Sequence, residues 1–112
     1  MPKRFGLAAA DIRAVAPGRG SCLATDRITV DRCPVGFMYR DSPDDAHDSG
    51  WRFFAGDETQ QYLDDPVNFE VYDVNTIANY DSEIVSLLDA DARSAFERDP
   101  ETGGFVETDF PG

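Results

Sequence analysis

Gly50-Trp51-Arg52-Phe53-Phe54-Ala55-Gly56 holds the only tryptophan of the 112-residue chain and two of its eight phenylalanines, framed by glycines. Aromatic side chains bury the most apolar area each, so this stretch is the expected centre of the core. As a strand over 51–55 it places Trp51, Phe53 and Ala55 on one face and Arg52 and Phe54 on the other. An aromatic on each face predicts that the second face is also at least partly covered. Acidic clusters flank the stretch: Asp41 to Asp48 before it, Asp57-Glu58 after it.

Upstream, residues 5–15 read as a short amphipathic helix with Ala8, Ile12 and Val15 on one face, stopped by Pro17-Gly18. Gly20 to Thr25 reads as a strand, and Ile28-Thr29-Val30 continues the extended character. Asp31 to Pro34 is a turn. Val35 to Arg40 is a second strand, with Val35, Phe37 and Tyr39 on one side and Gly36, Met38 and Arg40 on the other. The two segments are expected to pair as an antiparallel hairpin. Asp41 to Gly50 is a loop by composition.

Downstream, Asp57 is the expected N-cap of a helix, with Gln60 completing a capping box. Asp64-Asp65-Pro66 closes that helix, and Asp65-Pro66 starts a further turn. Phe69 to Tyr72 reads as a strand. Asp73 caps a helical segment reaching about Tyr80, and Asp81 or Ser82 caps another with Ile84, Leu87 and Leu88 as its buried stripe. Ser94–Arg98 and Phe105–Thr108 form a hairpin, and Phe110-Pro111-Gly112 is a tail. Helices and strands mix without βαβ alternation. The expected fold is therefore α+β, a single domain over 1–112 with a mostly antiparallel sheet and short helices packed on one face. Within it, 1–18 forms an N-terminal helix and turn, and 106–112 the C-terminal strand end and tail.

Net charge is −12, divided as +4 over residues 1–40 and −16 over residues 41–112. With a single lysine, Lys3, the chain lacks the cationic excess that phosphate binding needs, so a nucleic-acid partner is disfavoured. A basic protein partner suits the charge better. No run approaches the length of a membrane span. Met1-Pro2-Lys3-Arg4 leads into only a short, weakly apolar run, so no secretory signal is expected. Cys22 and Cys33, without CxxC spacing, are read as reduced thiols of a cytoplasmic protein.

His47-Asp48-Ser49 spells the letters of a hydrolase triad, but side chains of adjacent residues do not converge in line, so catalysis is not expected there. Asp41, Asp44, Asp45 and Asp48 lack the alternate ligands, central glycine and terminal glutamate of a calcium loop. No zinc spacing and no phosphate-cradling glycine motif is present, so no metal and no cofactor is expected. Arg40 and Arg52 are each expected to pair with a neighbouring carboxylate. Asn75 and Asn79 stand one helical turn apart beside Tyr80. Asparagine is a mediocre helix former, so two of them suggest that their amides are used, for backbone satisfaction or for recognition.

Three stretches carry a family resemblance: Pro34-Val35-Gly36-Phe37-Met38-Tyr39-Arg40, Asp48-Ser49-Gly50-Trp51-Arg52-Phe53-Phe54-Ala55-Gly56-Asp57-Glu58, and Tyr72-Asp73-Val74-Asn75-Thr76-Ile77-Ala78-Asn79-Tyr80-Asp81. They resemble a bacterial immunity protein family of polymorphic toxin systems, the immunity protein thirty-three family, from about Gly20 to Phe105. The resemblance implies a stoichiometric, non-catalytic inhibitor of a cognate toxin domain. The acidic balance suits a basic toxin. On this reading the candidate partner-binding residues are Asp41, Asp44, Asp45, Asp48, Trp51, Asp57, Glu58, Asn75, Asn79 and Tyr80. The alternative is a small-molecule-binding or regulatory module with Trp51, Tyr80 and the asparagines lining a pocket.

Overall fold

The computed structural model describes residues 3–111; Met1 and Pro2 of the expected start, and Gly112 of the expected tail, lie outside the described residues. The strands are β1 (Ser21–Thr25), β2 (Phe37–Arg40), β3 (Asp48–Phe54), β4 (Phe69–Asp73), β5 (Ala95–Arg98) and β6 (Phe105–Thr108). They form one sheet in the order β4-β1-β3-β2-β5-β6. β1 and β3 run parallel, and every other neighbouring pair is antiparallel. Three short helices, α1 (Asp26–Thr29), α2 (Gln60–Leu63) and α3 (Val74–Tyr80), and 3₁₀ turns including Ser82–Leu87 complete an α+β fold. No helix of the described residues is long and apolar enough to cross a membrane.

The 50–56 stretch lies at the centre, on β3, between β1 and β2. Trp51 and Phe53 are fully buried and stack with ring centroids 6.1 Å apart. Small and large side chains alternate across the strands beside them: Ala24 of β1 and Met38 of β2 stand in register with Phe53. That alternation lets α3 approach, with Val74, Ile77 and Ala78 closing the same core together with Ile84 and Leu88 of the following turn. The indole Nε1–H donates to the Leu88 carbonyl at 3.2 Å, so the buried tryptophan leaves no polar atom unsatisfied.

Ser21 pairs with Asp48 and Leu23 with Arg52, so β3 uses four residues where β1 uses two. Gly50, at φ +88°, makes this bulge possible. A Cβ there would also stand 2.2 Å from the Asp41 carbonyl oxygen, so only glycine fits.

Several local expectations change. Residues 5–15 are not a helix: only Ala9–Asp11 forms a 3₁₀ turn, and Val15 is exposed. The Arg13, Val15 and Ala16 N–H groups are given to asparagine side chains of α3, which removes the donors an N-terminal helix would need. Residues 26–29 form the helical turn α1 instead of extended chain, burying Ile28 and Thr29. β1 is thereby turned away from β2, and the expected hairpin between them does not form. β2 pairs with β3 and β5 instead. Val35 precedes β2 and enters the core, away from Phe37 and Tyr39, where its N–H donates to Asp81. The 41–50 loop is shorter than expected because β3 begins at Asp48, and Ala55 lies past the end of that strand.

The cap of α2 is Thr59, which accepts from the Tyr62 N–H, and not Asp57. Asp57 is held instead by Arg27. Arg40 forms no ion pair with a carboxylate among the described residues: it donates to the Ser49 and Ala90 carbonyls and lies over the Trp51 ring. The caps at Asp65, Asp73 and Asp81 and the β5–β6 hairpin stand as the sequence predicts. Cys22 and Cys33 are both free thiols.

Candidate functional site

The sheet has two unlike faces. α3 and the Ser82–Leu87 turn cover the Trp51 face. On the other face register places Tyr39 opposite Arg52 and Phe37 opposite Phe54. The Phe37, Tyr39 and Phe54 rings form a triangle with centroids 5.7–5.9 Å apart, and Phe69 meets Phe54 edge-on at 6.3 Å. All four rings are half-buried. Leu63 of α2 leans over this face from one side. The C-terminal tail crosses it from the other, with Phe110 edge-on to Tyr39 at 5.4 Å and the Arg93 guanidinium 4.4 Å from the Phe110 ring. Between them runs an open groove of about 770 Å³, floored by Phe37, Tyr39 and Phe54 and walled by Leu63, Asp57, Glu58 and Glu97.

Charges beside the groove are mostly neutralised in pairs. Arg52 meets Asp48 through two hydrogen bonds of 2.9 and 2.8 Å, with both side chains 9% exposed. The bulge at Gly50 brings these residues together, because an undisturbed strand would hold positions i and i+4 about 13 Å apart. Hydrogen bonding to Arg52 holds the Asp48 carboxyl well below the usual carboxylate range, against the opposing effect of burial. Arg52 is raised for the same reason. Arg27 clasps Asp57 and Asp31, and Asp57 is lowered by its bond to Arg27. Glu58 accepts from the Ala55 and Gly56 N–H groups and the Thr25 hydroxyl, closing the turn after β3. Burial, with the nearby Asp41 charge, pushes the Tyr39 hydroxyl up.

The residues singled out from the sequence fall into three places. Asp57 and Glu58 line the aromatic groove. Asp41, Asp44 and Asp45 stand at the opposite end of β3, where Asp44 is exposed 3.8 Å from Arg52 and Asp45 accepts from the His47 and Asp48 N–H groups. Asp48 belongs to the same loop but is turned inward onto Arg52. Trp51 is closed off inside the core at 1% exposure and offers no surface to a partner. Asn75, Asn79 and Tyr80 lie on α3, across the sheet from the groove, so they share no pocket with the aromatic floor. Phe37, Tyr39, Leu63 and Glu97 were missed. The signal available was Phe54 on the second strand face and the Phe37/Tyr39 alternation. Joining them required the β2–β3 register.

The asparagine amides are used, on a distant segment of the same chain. Asn75 Oδ1 accepts from Val15 and Ala16, Asn79 Oδ1 accepts from Arg13, and both amide nitrogens donate to the Arg13 carbonyl. The Tyr80 hydroxyl accepts from the Leu7 N–H. Each such bond contributes about 0.5–1.5 kcal/mol net. Replacing both asparagines by alanine should therefore release the segment, and hydrogen exchange at Arg13, Val15 and Ala16 should speed up at least tenfold while the β3 amides keep their protection. Around His47, the Asp48 carboxylate is taken by Arg52 and the Gly50 N–H, and the Ser49 hydroxyl accepts from the Trp51 N–H. Neither orients the imidazole.

A sequence-family model described as Immunity protein Imm33 domain matches residues 22–109. No curated protein and no solved structure matches the chain. The matched span takes in nearly the whole sheet, α3 and the floor of the aromatic groove, and leaves out the N-terminal segment that α3 holds and the Phe110-Pro111 tail. With most of its length inside that match, the chain belongs to the Imm33 family of immunity protein domains.

Proposed function

We propose that this chain is a non-catalytic immunity protein that binds a cognate toxin domain of basic character and neutralises it in the cytoplasm. The observation that carries the reading is the family match over residues 22–109. The charge supports the finer part: −16 over residues 41–112 favours a cationic protein surface as partner and disfavours nucleic acid. Carboxylates at both ends of β3, exposed Asp44 and Asp45 with half-buried Asp41 at one and exposed Asp57 with half-buried Glu58 at the other, form an acidic margin that steers such a partner. A second reading, a small apolar ligand in the aromatic groove, is favoured by the groove's volume of about 770 Å³, within the usual range of ligand sites.

The test is binding of any toxin domain that a gene beside this one encodes, measured by surface kinetics at two salt concentrations. Steering acts on encounter, so raising salt should slow association more than it speeds dissociation. Asp41→Lys with Asp44→Lys should lower the association rate roughly tenfold at low salt and leave the dissociation rate nearly unchanged. Asp45 is kept, because its carboxylate holds two backbone N–H groups of the loop. Association insensitive to both salt and charge reversal would remove the electrostatic part of the proposal. Absence of binding would remove the pairing itself.

A further inference from the structure

We infer that the docking surface is the aromatic groove on the sheet face opposite α3, and that its occupant is a basic protein segment presenting an aromatic or aliphatic side chain between lysines or arginines. The inference deepens the immunity reading and rests on it for the occupant being a protein. A sheet with apolar residues on both faces must cover both. Here one face has α3 and the turn after it, while the other carries Phe37, Tyr39 and Phe54 half-open. Contiguous exposed apolar surface with a polar rim is characteristic of an interaction site.

The tail shows what this face accepts. Phe110 rests edge-on against Tyr39 with a cation, Arg93, over its own ring, and Pro111 follows at the groove wall. An aromatic side chain with a guanidinium beside it is thus already seated at one end. The remaining length of the groove offers the same kind of floor.

The rim selects the sign of charge. Three arginines nearby are matched by carboxylates, Arg98 by Asp81 and Glu83, Arg27 by Asp57 and Asp31, Arg52 by Asp48, while Arg93 is taken up by the Phe110 ring. Glu58 and Glu97 line the groove and form no salt bridge among the described residues. An incoming lysine or arginine meets these two carboxylates across a floor of ring faces that also attract cations. A second copy of this chain, at net charge −12, meets repulsion instead, as does a nucleic acid.

The experiment uses the full chain, isotopically labelled, with two synthetic octapeptides that share two phenylalanines and a valine. In one the remaining positions are lysine and arginine; in the other they are aspartate and glutamate. Amide shifts confined to residues 36–40, 54–58 and 95–98, caused by the basic peptide and at least tenfold weaker with the acidic one, support the inference. In parallel, a photo-crosslinking side chain at position 63 should capture the neighbouring toxin domain, and one at position 79 should not. Glu97→Lys, a change at an exposed position, should weaken both ligands about tenfold without moving the melting temperature. Toxin binding whose footprint falls on α3 or on 41–48, unaffected by Glu97→Lys, overturns the inference while leaving the immunity reading intact. If no toxin domain binds, that reading fails and the peptide arm decides: selective shifts in the groove keep the basic-segment surface, and their absence removes it. A dimer joined through the groove would also overturn the stated occupant.

Discussion

Phe53→Ala should lower the free energy of unfolding by about 3–5 kcal/mol, the usual range for a deleted core aromatic. Phe53 is 0% exposed, stacked on Trp51, and flanked in register by Ala24 and Met38. Neither neighbour can extend into the space left, since alanine has no rotamer and the methionine is itself fully buried. The loss would remove much of the about 5–15 kcal/mol that stabilises a domain of ordinary size. Phe54→Ala, one residue on, is the internal control. Its ring is half-buried on the open face, so the change should cost clearly less. Urea denaturation of both variants checks this: the midpoint should fall much further for Phe53→Ala, with the m-value unchanged. Equal midpoints would mean that the two faces of β3 have been assigned wrongly.

The sequence made the centre legible because aromatic content and alternation are local signals. Trp51 and Phe53 form the core as expected, and the aspartate caps at 65, 73 and 81 announce their turns within three residues. Pairing partners were not legible. The parallel contact of β1 with β3 depends on α1 turning the chain at 26–29, and Ile28-Thr29-Val30 has the β-branched composition of a strand. Its burial against α3 overrides that propensity. The N-terminal segment misled for a related reason. Its apolar spacing fits a helix, but its N–H groups are satisfied across about sixty residues of sequence by Asn75 and Asn79. For the candidate site, the acidic clusters lie at the two ends of β3, as their places in the sequence imply, and Trp51 lies on the face turned away from the groove. A lone tryptophan reads equally well as an anchor or as core until its indole N–H has a partner, and here Leu88 supplies one.

Burial and openness on the two sides of β3 divide the labour of this domain. The covered face supplies stability, so changes there act through folding. The open face holds half-exposed rings that contribute less to folding and remain available to a partner. Arg52 sits between the two roles. It lies beneath the open aromatic face, opposite Tyr39, yet is 7% exposed, so its charge must be matched inside the protein.

Asp48→Ala should accordingly cost about 3–5 kcal/mol at pH 7, the range for stranding one member of a buried ion pair. Two hydrogen bonds to Arg52 are lost, and the N–H groups of Asp44 and Gly50 lose their acceptor as well. The effect has a defined pH signature. The Asp48 carboxyl is held below its ordinary value in the folded chain, chiefly by hydrogen bonding to Arg52, and has an ordinary value of about 3.9 in the unfolded chain. As pH falls, the unfolded chain takes up this proton first. The stabilisation is therefore fully present above about pH 5 and fades as pH drops below about 4 toward the lower folded-state value. Arg52 stays charged throughout, so the carboxylate alone sets the window. Other carboxylates titrate in the same range, which makes the difference between wild type and variant the quantity to follow. Stabilities of both proteins, measured by urea denaturation from pH 7 to pH 2, should differ most on the neutral plateau and converge at the acid end. A difference that stays constant down to pH 2 would mean that Asp48 gains nothing from its charge. The pair would then hold the Gly50 bulge by geometry alone.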